Sequence, residues 1–276
     1  MIRRHVFAGA LGVAAAIALV FLSLPLLAIF LRVPPGHLVA QLSNPVAIDA
    51  IVVTLKANAI AQALILVVGT PAAYLIARHT FPGRALVITL VELPLVLPPA
   101  VAGIGLLAAF GRLGLLGGTL GALGLSIGFT QAAVVLAVAY VASPFYVRQA
   151  IAAFESLDQP LLDASRTLGA GPARTFMRIA LPLASKGLAA GTALSFARGI
   201  GEFGATIMFA GSLQGVTQTL SLAIYAQFDV NFDIALALGG LLVIVSAAIL
   251  LVAKLLPSWT RSSSTSLFPS ARFSSS

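Results

Sequence analysis

Residues 163–182 read DASRTLGAGPARTFMRIALP, a polar, basic stretch in a chain otherwise written for a lipid bilayer. The 276 residues are 59% hydrophobic and 9% charged, whereas a water-soluble domain carries about 25% charged residues. Those proportions imply a polytopic membrane bundle. About 40 residues separate the fourth and fifth apolar runs around this stretch, where helix–helix connections usually take 2–8. Leu161, Leu162, Leu168, Phe176, Ile179 and Leu181 give the insert apolar anchors, so the pattern predicts structure within it. Gly169-Ala170-Gly171-Pro172 divides it into two short helices, with Pro172 at the start of the second. Asp158, shortly before Pro160, is placed to cap the first helix, and Pro182 to stop the second. Two short helices and a sharp turn make a compact knob.

Outward from the knob, six runs reach the roughly 20 apolar residues that a span requires. They lie near 7–31, 51–77, 85–110, 127–147, 188–210 and 234–256. The first follows Arg3, Arg4 and His5. Its apolar part exceeds the roughly 7–15 residues of a signal-peptide core and shows no small-x-small cleavage site, so it reads as an uncleaved first helix. With the N-terminus in the cytoplasm and six crossings, the inside holds Arg3, Arg4, Arg78, Arg84, Arg148, Arg166, Arg174, Arg178, Lys186, Lys254, Arg261 and Arg272. The outside holds Arg32, Lys56 and Arg112, and Arg198 lies within a span. An asymmetry of 12 to 3 among the 16 basic residues puts both termini, and the knob, inside. The net charge of +8 is therefore a topology signal, and no nucleic-acid partner is expected. The absence of cysteine excludes disulfides, Cys-ligated zinc and iron–sulfur clusters. The expected organisation is a first transmembrane helix and outer loop over 1–44, a five-helix core over 45–256 containing the loop 155–186, and a disordered Ser-rich tail over 257–276.

The spacing of the insert resembles the EAA loop of bacterial type I ABC importer permeases: E-A-A, three residues, Gly, nine residues, Ile, one residue, Leu-Pro. Asp163, Ala164, Ser165, Gly169, Ile179, Leu181 and Pro182 match it at every position, with Asp for Glu and Ser for the second Ala. Two further segments extend the likeness over roughly 45–255. They are ELPLVLPPAVAGIGLLAAFGRLGLLG at 92–117 and SFARGIGEFGATIMFAG at 195–211, the latter followed by TQTLSLAIY at 217–225. Together they resemble permeases of molybdate/tungstate importers and, more distantly, the sulfate/thiosulfate permeases.

The resemblance implies an all-α membrane protein of six transmembrane helices whose loop between spans 4 and 5 docks, as a coupling helix, in a groove of an ATP-binding subunit. It implies a homodimer in the molybdate branch, two ATP-binding cassette subunits, an extracytoplasmic oxyanion-binding protein, and residence in a bacterial-type plasma membrane. None of Lys56, Lys186 and Lys254 sits in a P-loop pattern. No cofactor is expected on this chain, and ATP with Mg2+ belongs to the partner subunit. Sulfate is the alternative cargo, being a similar tetrahedral dianion. A secondary transporter would need a relay of intramembrane acids and internal repeats, and neither is visible.

Glu92, Arg198 and Glu202 lie in or near spans, where a central Arg costs about 2.5–3.5 kcal/mol on insertion scales. They must face protein or water. Arg198 and Glu202, four residues apart, can pair on one helix face. With Glu92 and Gly204 they form the candidate pathway or gate region; the competing reading is a satisfied ion pair with no transport role. Glu202 is not expected to bind an anion. Gly199, Gly201, Gly204 and Gly211 share one predicted helix with Ala197, Ala205 and Ala210, a small-residue face suited to close packing. Pro94, Pro98 and Pro99 must break or kink the third span. His5, His37 and His79 have no metal-ligand spacing, and no catalytic constellation is present, so the chain is not expected to be an enzyme.

Overall fold

The computed structural model describes residues 2–32 and 34–259; of the tail expected to be disordered over 257–276, residues 257–259 instead continue the last helix, and those from 260 lie outside the described residues. In order, the helices are α1 (Ile2–Arg32), α2 (Pro35–Gln41), α3 (Pro45–Arg78), α4 (Arg84–Val96), α5 (Pro99–Phe110), α6 (Gly117–Ala122), α7 (Gln131–Glu155), α8 (Gln159–Thr167), α9 (Pro172–Thr175), α10 (Leu181–Ile200), α11 (Gly204–Ala210), α12 (Leu220–Gln227) and α13 (Phe232–Trp259), with a π-helical turn (Phe176–Ala180) joining α9 to α10. Among the described residues, five helices are long and apolar enough to cross a membrane, or six if α4 and α5 count as one bent span.

The core is built on α3, α7 and α10. The Asn44 side chain accepts from Val46 N at 3.0 Å and Pro45 occupies the first turn, so α3 starts with a side-chain cap and a ring that needs no donor. Its 34 residues rise about 50 Å at 1.5 Å each, more than the ~30 Å hydrocarbon core. Ala57, Ala61, Ala133, Ala137 and Val138 pack around Ala205 and Phe209 in one cluster, and Ile65, Ala73, Ala142, Tyr146, Ala150, Phe154 and Ala184 in a second. The abundance of alanine lets backbones approach where lipid gives no hydrophobic drive between helices. Helix α1 stays outside this core: none of its span window is buried, and it packs mainly against α13, where Phe30 faces Gly240.

Several sequence expectations change here. The third apolar run is two helices at 116° to each other. Leu97 (ψ 136°) and Pro98 (ψ 130°) are both extended, as residues preceding proline must be, and two such residues in succession turn the chain. The fifth run starts at Pro172 and ends at Ile200. Pro182 does not stop it. Leu181 N donates to the Phe176 carbonyl, so the preceding turn is widened to π geometry and the proline ring fits without ending the helix. The chain breaks later, between Ile200 and Gly204. Gly199, Gly201, Gly204 and Gly211 are therefore spread over two helices and their flanking loops.

Candidate functional site

The knob grows directly from the end of α7. Helix α8 buries Leu162, which is 1% exposed, and ends at Gly169 with φ +82°. Gly169 N donates to the Arg166 carbonyl at 2.9 Å and Ala170 N to that of Ser165 at 3.0 Å, closing the helix in a left-handed turn that favours glycine. A Cβ at Gly169 would touch nothing within 4 Å; the backbone conformation, not space, is what requires glycine. Asp158 precedes α8 but makes no side-chain cap, so that expectation fails.

Ser165 is buried. Its Oγ donates to the Leu162 carbonyl at 2.7 Å and lies 3.0 Å from Thr175 Oγ1. Serine in place of alanine is thus matched by Thr175, which ties α8 to α9. Asp163 is exposed, accepts from Gln159 Nε2 at 3.0 Å and pairs with Arg166 at 3.2 Å. Ala164 and Pro182 are exposed. Ile179 and Leu181 point the other way. They pack, partly buried, with Tyr74, Phe154 and Phe176, whose rings meet at 4.8 to 6.2 Å. They form the knob's foundation, and its outward apolar groups are Leu168, Leu161 and Met177, 87%, 50% and 59% exposed. Two arginines brace the foundation. Arg78 donates to the Leu157 carbonyl at 2.9 Å. Arg84 donates to the Ile76 carbonyl and pairs with Glu155, joining α3, α4 and α7.

The second candidate region is the crossing of the two helix breaks. Ideal Cβ atoms would lie 2.7 Å from Pro99 Cβ at Gly204 and 2.6 Å from the Ala205 carbonyl oxygen at Gly103, so α5 and α11 touch backbone to backbone. Glu202, 1% exposed, lies in the break and not on the helix. Its Oε1 accepts from Ala205 N at 2.8 Å and its Oε2 lies 2.7 Å from Arg198 Nη2. Glu92 does not join them; it pairs with Arg148 of α7 at 3.1 Å.

Sequence reasoning missed Arg148, Thr175 and a buried polar stripe on α3. Thr54 donates to the Ala50 carbonyl and accepts from Leu220 N, both at 2.7 Å, and Asn58 donates to the Phe196 carbonyl at 3.0 Å. The spacing of Thr54, Asn58 and Gln62 at four-residue steps in an apolar run was the available signal. A Cβ at Gly199 would collide with Asn58 Oδ1. Gly199→Val is expected to destabilise the purified chain by about 1–3 kcal/mol through overpacking, read as a lower melting temperature in detergent; an unchanged melt would contradict the close packing.

Residues 65–261 match the model of the binding-protein-dependent transport system inner membrane component family. The molybdenum transport system permease protein ModB of Mycobacterium tuberculosis is 44% identical over 235 residues, 84% of this chain and 88% of that protein. The sulfate transport system permease protein CysT of Salmonella typhimurium is 36% identical over 242 residues, 83% of this chain and 87% of that protein. A chain in the crystal structure of a bacterial alginate ABC transporter, solved in complex with an alginate pentasaccharide-bound periplasmic protein, superposes with a TM-score of 0.72 at 18% identity, covering 96% of this chain and 98% of that one. This last likeness is one of fold.

Proposed function

The chain belongs to the family of binding-protein-dependent transport system inner membrane components, and on that premise we propose that it is the permease subunit of a molybdate or tungstate importer driven by a separate ATPase. The higher identity to ModB than to CysT, 44% against 36%, supports this cargo, and sulfate is the second reading. The observation that carries the ATPase coupling is the knob: a braced, amphipathic projection with Leu168 uncovered at its tip and no fold-building role for that side chain.

In this reading the knob docks in a groove of the ATP-binding subunit, with ATP and Mg2+ held there. Arg78, Arg84 and Arg148 lie at the knob's end of the bundle or towards it, bonded to Leu157, Glu155 and Glu92. The excess of basic residues at that end supports its assignment to the cytoplasm, and with it both termini. Arg198 remains 29% exposed in the single chain. A closed pathway for an anion therefore calls for a second permease chain, which supports a homodimer. ATP drives transport by binding one arrangement of the assembly better than the other. An extracytoplasmic binding protein supplies affinity for the cargo, and the pore holds it weakly enough to let go.

The test is uptake of radiolabelled molybdate by proteoliposomes containing the permease, its ATPase and the binding protein. Uptake should require ATP, and an equal concentration of sulfate should lower it by less than about twofold, since specificity is a difference of affinities. Strong inhibition by sulfate moves the cargo to sulfate. Uptake without ATP refutes the pump.

A further inference from the structure

Arg198 carries a positive charge deep in the bundle. Its neighbour Gly199 packs on Asn58, which is 13 residues from the start of α3 and 20 from its end. At 1.5 Å per residue those distances are about 20 Å and 30 Å. An arginine at that depth is costly unless it faces protein or water. One side of Arg198 is closed: Glu202 Oε2 lies 2.7 Å from Nη2. The side chain nevertheless remains 29% exposed. The space beside it is open as well, since Gly201 is exposed and a Cβ there would meet nothing within 4 Å.

Glu202 is arranged differently. It is 1% exposed; its Oε1 accepts from the Ala205 amide and its Oε2 is ion-paired with Arg198. The acid is behind the arginine, where it cannot meet a passing anion. The Glu92–Arg148 pair lacks this asymmetry, because its carboxylate is itself 39% exposed and would repel one.

We propose that Arg198 is a mid-membrane contact for the tetrahedral oxyanion and that Glu202 is its positioning residue. The inference deepens the importer reading and rests on it. A guanidinium presents a planar fork of five N–H donors and matches two oxygens of an oxyanion at once. Glu202 holds that fork in place from one side through the ion pair with Nη2. It also offsets the charge, so a dianion is held loosely enough to move on.

The test uses the complete complex of permease, ATPase and binding protein, assayed for uptake of radiolabelled molybdate, tungstate and sulfate together with ATP hydrolysis. The double variant Arg198→Gln/Glu202→Gln leaves no unpaired buried charge. It should lose about fivefold in uptake, the share of a charge-assisted contact. Glu202→Gln alone removes the counter-charge and keeps the fork. Purified complexes carrying it should retain more labelled tungstate than wild type, and the double variant less; a merely structural pair would not produce this order. Wild-type uptake by the double variant, or equal tungstate retention in all three proteins, overturns the anion contact and leaves the importer reading standing. A wild-type complex that takes up none of the three anions overturns both.

Discussion

Leu168→Asp should lower ATP-coupled uptake about a hundredfold and leave the melting temperature of the purified chain unchanged. Leu168 is 87% exposed and follows the last residue of α8. Its own fold loses nothing, and surface substitutions away from special features stay within about 0.5 kcal/mol. Docked against an ATPase the same position becomes an apolar anchor. Truncating such anchors costs about 2–4 kcal/mol, and a carboxylate buried there without a partner adds to that. About 2.7 kcal/mol suffices for a hundredfold. Uptake in proteoliposomes and a thermal melt separate the two effects. Wild-type uptake by the variant would remove Leu168 from the interface.

Gly103→Val should cut uptake per ATP hydrolysed by about tenfold to a hundredfold, with hydrolysis persisting. A Cβ at this position lies 2.6 Å from the Ala205 carbonyl oxygen and 2.9 Å from Ala205 Cα. Both are backbone atoms of α11, so no rotamer change relieves the clash. Overpacking of this kind costs about 1–3 kcal/mol. If the α5–α11 contact is made in one arrangement of the transporter and loosened in the other, that cost shifts their ratio by about 5–150-fold. Gly105 gives the control. It lies on the same helix, but a Cβ there would meet nothing within 4 Å, and Gly105→Val should transport within about twofold of wild type. Equal uptake by the two variants would sever the crossing from transport.

The spans and the knob were legible because each rests on a local signal. Apolar length marks α3, α7 and α13, and the Gly169–Pro172 run marks the end of α8 and the start of α9. What the sequence concealed depends on contacts far along the chain or on competition between local rules. Pro182 reads as a stop, yet the wider turn at Phe176–Ala180 absorbs it. Gly201 to Phe203 sits in a run apolar enough to look continuous, and the break shows only once Glu202 turns back to bond Ala205 N. Ile179 and Leu181 fit a docking signature equally well as outward or inward residues; the buried cluster that includes Phe154 and Ala184 is what they pack against. The partnership of Ser165 with Thr175 and of Glu92 with Arg148 required the folded geometry.

The uninterrupted run from Pro172 to Ile200 has a mechanical consequence. Twenty-nine residues make a beam about 43 Å long, with the knob at one end and the Glu202 break at the other. A rocking of about 10° about its midpoint carries each tip through about 4 Å, more than the diameter of a water molecule. The stroke available at the break is thus fixed by beam length and tilt, provided the beam stays stiff. Its compliant point is the π turn, a few residues from the driven end. Phe176 opens that turn, and Tyr74 and Phe154 grip its ring, so the aromatic cluster acts as the splint that keeps the stroke from being lost as bending.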